Sequence, residues 1–151
     1  MTDTPAQRIM KLFAGNEENS GTHGIPDLDP NGVKWTIKST AKTLAVPVTE
    51  ALWQQHLDGK RPLGVIPIRI SDSKCFWGSI DIDQYDLDAG EIVARVEKAK
   101  LPLVPCRSKS GGLHLFLFAN EPVPADAMQS VFISYYQSSP HSVHHLIPLD
   151  F

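Results

Sequence analysis

The clearest alternation of apolar and polar residues lies in the middle of the chain. Residues 76–82 and 113–118 each follow the period of two that is typical of a strand, and residues 101–106 form a short apolar run. The connection at 107–112 is rich in turn residues, so the second and third of these segments are predicted to close as a hairpin. The pattern predicts an α/β fold of the two-layer α+β kind, with a β-α-β-β unit over residues 76–118.

A helix is predicted between the first two of these strands. Asp88 and Glu91 have the spacing of a capping box, and Ile92 and Val96 recur at helical spacing as far as Lys100. A helix between two strands at this spacing favours a right-handed crossover onto one sheet.

Weaker patterns precede this unit. Helices are predicted over residues 5–14 and from Thr49, as the N-cap, to Gly59. Residues 33–37 suit a short strand. Residues 63–70 are β-branched and apolar but interrupted by a proline, so we predict a strand near a sheet edge.

The end of the chain differs in composition from the rest. No Lys or Arg follows Lys109, and neither helical nor strand periodicity is sustained after Asp126. We therefore predict one domain over residues 1–128 and an atypical tail over residues 129–151. The tail is either poorly ordered or derived from a shifted or truncated reading frame.

The bulk properties narrow the class of protein. The chain has 151 residues and a net charge of -3, which argues against a polycation that coats nucleic acid but not against an enzyme. Cys75 and Cys106 form no C-x-x-C pair and are predicted to be free thiols. Neither a signal peptide nor an apolar run of about 20 residues is present, so a cytoplasmic protein without a membrane partner is predicted.

Asp81 and Asp83 are the first candidates for chemistry. Two residues apart on one strand, they point to the same side, with Cα atoms roughly 6.5 Å apart. Carboxylates so placed can converge on a hard cation such as Mg²⁺, while Ile80 and Ile82 face a core helix on the other side. A solvated pair or a turn cap is an equally ordinary role for Asp-x-Asp at a strand end.

The hairpin connection is the second candidate. Gly111 and Gly112 permit close backbone approach, so that amide groups could line a phosphate. Arg107 and Lys109 offer positive charge for the same anion, and Ser110 offers a hydroxyl donor. An ordinary basic hairpin turn is the alternative interpretation.

His114 connects the two candidates. It alternates with leucines, so it lies on the opposite face of its strand from them. If Asp81 and Asp83 share that face, His114 is set to contact the phosphates of a nucleotide beside the metal. These groups together are what metal-assisted nucleotidyl transfer needs.

The two segments resemble the motifs of the archaeo-eukaryotic primase superfamily. A hydrophobic strand ending in Asp-x-Asp is matched by residues 80–83, and a later small-x-His by residues 112–114. The likeness is greatest to the primase domain of TOTE conflict systems, also found in phages, and covers roughly residues 10–128. The third motif of the family, hydrophobic-Asp, is matched only nominally by Leu149 and Asp150.

The resemblance implies an RRM-like primase-polymerase core that extends DNA on a template with Mg²⁺ or Mn²⁺. By motif match, Asp81 and Asp83 would bind the metal and His114 would contact the incoming nucleotide. The turn would contribute the other nucleotide-binding residues: Arg107, Lys109, Ser110, Gly111 and Gly112. The implied partners are nucleoside triphosphates, a single-stranded DNA template, and a helicase or other replication proteins.

Two other hypotheses stay open at this point. The chain would be a non-catalytic RRM-like module if exposed aromatic residues, such as Trp77, Phe116 and Phe118, stacked on single-stranded nucleic acid. Alternatively, the chain is a decayed phage fragment without activity, in which a missing C-terminal strand would leave an unpaired sheet edge and favour aggregation.

Overall fold

The computed structural model describes four stretches of the chain, residues 2–22, 41–82, 88–108 and 111–137. The strand predicted at 33–37 lies outside these residues. The chain divides into two compact units between Lys74 and Cys75. The single domain predicted over residues 1–128 therefore spans both units.

Two short helices in the first unit confirm the predictions made for them. The first, α1 (Pro5–Leu12), is capped by Thr4, whose hydroxyl accepts the Gln7 N–H while the Gln7 side chain accepts the Thr4 N–H. The second, α2 (Glu50–Leu57), is capped by the Thr49 side chain.

The strand predicted over residues 63–70 is wrong. The first unit instead pairs β1 (Ser20–Thr22) with β2 (Lys42–Leu44) in an antiparallel sheet. Within residues 63–70, Gly64 forms an isolated bridge with Gly21, where a Cβ on Gly64 would lie 3.0 Å from the Gly21 Cα. The backbone of this segment makes single contacts with other segments and not a ladder.

The second unit contains the predicted hairpin. Its sheet consists of β3 (Lys74–Ile82), β4 (Leu103–Arg107) and β5 (Leu113–Pro124), with β5 in the middle. Strands β4 and β5 are antiparallel, with Leu103 opposite Leu117 at one end of the register.

Contacts along β3 show its direction relative to β5. Early in β3, the Trp77 ring lies against Phe116, and later in the strand Asp81 lies beside His114. As the residue number increases along β3, the number of the contacting residue on β5 decreases, so the two strands run antiparallel. Strands β3 and β4 are thus parallel to each other, as a strand-helix-strand crossover within one sheet requires.

The crossover helix, α3 (Ala89–Lys98), begins where it was predicted to begin. The Asp88 carboxylate accepts the Gly90 N–H at 2.8 Å and caps the helix. Glu91, at the capping-box position, forms an ion pair with Arg95 one turn further along.

A helix that was not predicted follows β5. This helix, α4 (Ala125–Gln137), crosses the predicted boundary between residues 128 and 129. Met128 is buried, and Phe132 and Tyr135 pack against the core. Regular structure therefore continues to Gln137, into the segment predicted as an atypical tail, and residues 138–151 lie outside the described part.

The core lies on one face of the sheet. Because side chains alternate along a strand, the residues between the core positions lie on the other face. Buried residues of the strands, including Leu113, Leu115 and Leu117, pack with Ile92 of α3 and Met128 of α4. Across the described ranges, no helix is long and apolar enough to cross a membrane.

Candidate functional site

The face of the sheet opposite the core, which we call the His114 face, is defined by the register of β4 and β5. Alternation along β5 places His114, Phe116 and Phe118 on this face, because the intervening leucines are buried. Antiparallel partners share a face, so Cys106 lies beside His114 and Val104 lies beside Phe116.

Asp81 on β3 completes a row across the three strands. His114 Nε2 lies 3.1 Å from Asp81 Oδ1, with the two side chains 39% and 58% exposed. The predicted nucleotide site required the aspartate and histidine segments to share a face of the sheet. Asp81 and His114 meet this requirement. We call Asp81, His114 and Cys106 the site row. A contact this exposed adds little to stability, so its importance is geometric.

The turn before β5 brings the two motif segments together. A Cβ at Gly112 would lie 2.2 Å from the Ile82 carbonyl oxygen at the end of β3, a distance that only glycine avoids. Ser108 N–H donates to the Gly112 carbonyl, and Gly111 N–H donates to the Ser108 carbonyl. Gly111 has a φ of 96°, in the region that favours glycine. The turn therefore lies close to the end of β3, and the Gly111 amide is already hydrogen-bonded within the turn; the predicted approach to a phosphate stays a prediction.

The register separates the basic residue of the turn from the site row. Arg107 is opposite Leu113, so alternation places it on the core side at the exposed end of β4. Its neighbour Cys106 is the residue beside His114. Sequence reasoning missed Cys106 as a member of the site, although the predicted hairpin would have revealed it had the register been counted.

The two thiols differ in environment. Both Cys75 and Cys106 are free, as predicted, but Cys75 is buried and Cys106 is exposed. Burial raises the pKa of the Cys75 thiol. Reagents that attack thiolates will therefore reach the thiol in the site row first.

A row of aromatic rings adjoins His114. The Phe116 ring meets the His114 ring edge-on, with centroids 5.7 Å apart, and stacks on Phe118 at 6.0 Å. Trp77 meets Phe116 from β3, but it is only 5% exposed. The hypothesis of a stacking surface that includes an exposed Trp77 is therefore wrong for that residue.

The metal-binding and turn predictions extend beyond the described residues. Asp83, Lys109 and Ser110 lie outside them, so their roles stay predictions. Among the residues that are described, no group of three or more His, Cys, Asp or Glu side chains is placed to hold a metal ion. Asp81 itself offers an exposed oxygen donor of the type that Mg²⁺ and Mn²⁺ prefer.

Comparison with known proteins gives one family. The model of the TOTE conflict system, Archaeo-Eukaryotic Primase domain, matches residues 28–147. This range includes both motif segments and α4. No curated protein matches the chain.

Proposed function

The chain belongs to the archaeo-eukaryotic primase family of TOTE conflict systems, and on that premise we propose that it is a template-directed nucleotidyltransferase acting at the site row. The observation that carries this proposal is the 3.1 Å approach of His114 Nε2 to Asp81 Oδ1 on an exposed sheet face. A carboxylate and an imidazole this close together can act on the same triphosphate, the carboxylate through a bound cation and the imidazole by a hydrogen bond. Nucleoside triphosphates and a single-stranded DNA template are the proposed substrates.

A divalent cation fits the proposed chemistry. Mg²⁺ or Mn²⁺ held by Asp81, and by strand alternation Asp83, would neutralise the triphosphate and activate the attacking 3′-hydroxyl. The site contains an acidic residue, Asp81, and the chain carries a net charge of -3, so the bare site does not attract a triphosphate. Nucleotide binding is therefore expected to depend on the cation.

His114 is proposed to donate a hydrogen bond to a phosphate oxygen. Its imidazole makes a T-shaped contact with the Phe116 ring, and this contact is proposed to hold the imidazole in place. A donor fixed in advance stabilises the charge that develops on the phosphates at little cost in reorganisation. Arg107, at the exposed end of β4, is proposed to reach the outer phosphates around the strand end.

Extension of a primed template tests this proposal. The chain is incubated with primed single-stranded DNA, labelled deoxynucleoside triphosphates and Mn²⁺, and products are resolved by length. Wild-type extension is expected, and Asp81→Asn and His114→Ala should each lower the rate by about a hundredfold or more, since each removes a group proposed to contact metal or phosphate.

Two controls match these substitutions. Glu121→Gln changes an exposed acid further along β5, and His56→Ala changes an exposed histidine of α2. Both should retain wild-type extension. No extension by the wild type, or an unchanged rate in Asp81→Asn, would overturn the proposal.

A further inference from the structure

An apolar pair, an exposed valine and a half-buried phenylalanine, lies directly beside the site row. Val104, on the edge strand β4, is 47% exposed. It is the register partner of Phe116, so the two side chains lie side by side on the His114 face. We call Val104 and Phe116 the apolar platform.

The two ends of the site differ in chemistry. On one side of His114 lie Gly112, at the start of β5, and the C-terminal end of β3, which carries Asp81. On the other side, two residues along β5, lies the platform. Residues two apart on a strand are roughly 6.5 to 7 Å apart, a span that a ribose ring can bridge.

Within the described residues, Val104 and Phe116 form an apolar surface along β5 that a nucleotide with its phosphates at Asp81 and His114 can reach. We propose that the apolar platform holds the sugar and base of the bound nucleoside triphosphate. This inference rests on the proposed function, since it takes the phosphates to lie at Asp81 and His114.

The platform suits a ligand whose base changes from one addition to the next. The Phe116 ring makes a T-shaped contact with Trp77 and stacks on Phe118, so it already has packing partners before a ligand arrives. Apolar and aromatic contact tolerates every base, because each base has a π-face. Base identity is then left to pairing with the template.

Calorimetric titration separates the nucleoside from the phosphates. The full chain in Ca²⁺, which supports binding without turnover, is titrated with dATP, with dCTP and with inorganic tripolyphosphate. The wild type should bind both nucleotides about tenfold or more tighter than tripolyphosphate. Val104→Ala should weaken both nucleotides on the order of three- to tenfold, the effect of one or two methyl groups, and leave tripolyphosphate unchanged.

Two further variants complete the test. Phe116→Leu should act in the same direction as Val104→Ala. Val93→Ala removes an exposed valine from α3 and should change neither class of ligand. A thermal unfolding scan of each variant establishes that it is folded.

The outcomes separate the platform from the site itself. Equal affinity of the wild type for nucleotides and tripolyphosphate would overturn the platform and leave the proposed function standing. So would Val104→Ala weakening both ligand classes equally, no weakening by either platform variant, or an equal effect of Val93→Ala. A wild type that binds neither ligand class would overturn the proposed function, and the platform with it.

Discussion

Gly112 sets how closely the two motif segments approach each other. The site row exists because the start of β5 lies against the end of β3, and the Ile82 carbonyl occupies the space where any side chain at position 112 would begin. The glycine therefore contributes through the space it leaves, in addition to any contact of its backbone with phosphate.

Replacement of Gly112 by alanine tests this role. A Cβ placed 2.2 Å from the Ile82 carbonyl oxygen must push the strands apart. Gly112→Ala is expected to lower the free energy of unfolding by about 1 to 3 kcal/mol or more, as overpacking does. Urea unfolding monitored by tryptophan fluorescence measures the change.

Gly90→Ala in α3 is the matched control. A Cβ at Gly90 would lie 3.1 Å from the Asp88 carboxylate, which can move, and alanine favours a helix. Its free energy of unfolding should stay within about 1 kcal/mol of the wild type. An unchanged urea midpoint in Gly112→Ala would contradict the proposed close approach.

Single residues were predictable where a local rule decides their position. The period of two in a strand was enough to put His114 on the opposite face from its neighbouring leucines. That this face is also the face of Asp81 depends on how the strands pair, and the structure shows it. Cys106 and Arg107 were different, because their faces depend on how the hairpin is registered. A shift by one residue would exchange them.

At the scale of elements, cap residues and periodicity predicted the helices whose positions are set by interactions between residues close in sequence. Thr49 and Asp88 cap helices as expected, since their side chains meet backbone N–H groups nearby. Helix α4 carries Met128, Phe132 and Tyr135 at helical spacing, but the serines and the missing charges around them obscured the pattern. The strand predicted over residues 63–70 was wrong because Gly64 and its neighbours form hydrogen bonds with segments distant in sequence, and a local pattern does not reveal such bonds.

The segment that leads into β3 is held by a carboxylate far away in sequence. Glu17 accepts hydrogen bonds from the Ser71 hydroxyl at 2.5 Å and the Ile70 N–H at 2.9 Å. These bonds, with the Ser71 hydroxyl first, lower the pKa of Glu17. A lowered pKa means that the folded chain binds a proton at this group less readily than the unfolded chain.

The sign of the pH dependence follows from that difference. The contribution of Glu17 is fully present above the pKa of an unfolded glutamate, about 4.3, and is lost as the pH falls through the lower folded value. The urea midpoint of the wild type should therefore exceed that of Glu17→Gln at pH 6, and the difference should shrink as the pH falls below about 4.3.

Glu18→Gln controls for the same change of net charge at the next residue. It should show no comparable pH-dependent difference from the wild type, since Glu17 makes the contacts to Ile70 and Ser71. A difference between wild type and Glu17→Gln that is constant from pH 6 to pH 3 would contradict a role for the ionised carboxylate.

At the scale of the whole molecule, charge and family membership complement each other. A chain with a net charge of -3 does not attract a polyanion by long-range electrostatics, so a nucleotide-binding role depends on a local site and a cation.

The family match over residues 28–147 extends across both units and past the boundary that composition suggested.

The thiol in the site row reports whether a nucleotide lies there. Cys106 is exposed beside His114, while buried Cys75 serves as an internal reference. Iodoacetamide labelling of the native chain, followed by peptide mass spectrometry, gives the alkylation rate of each cysteine.

With Mn²⁺ and a nucleoside triphosphate at ten times its Kd, Cys106 should react about tenfold more slowly, because only about a tenth of the sites are free. Asp81→Asn should lose that protection at the same nucleotide concentration. A rate at Cys106 that nucleotide does not change, at concentrations shown to saturate binding, would mean that the nucleotide binds elsewhere.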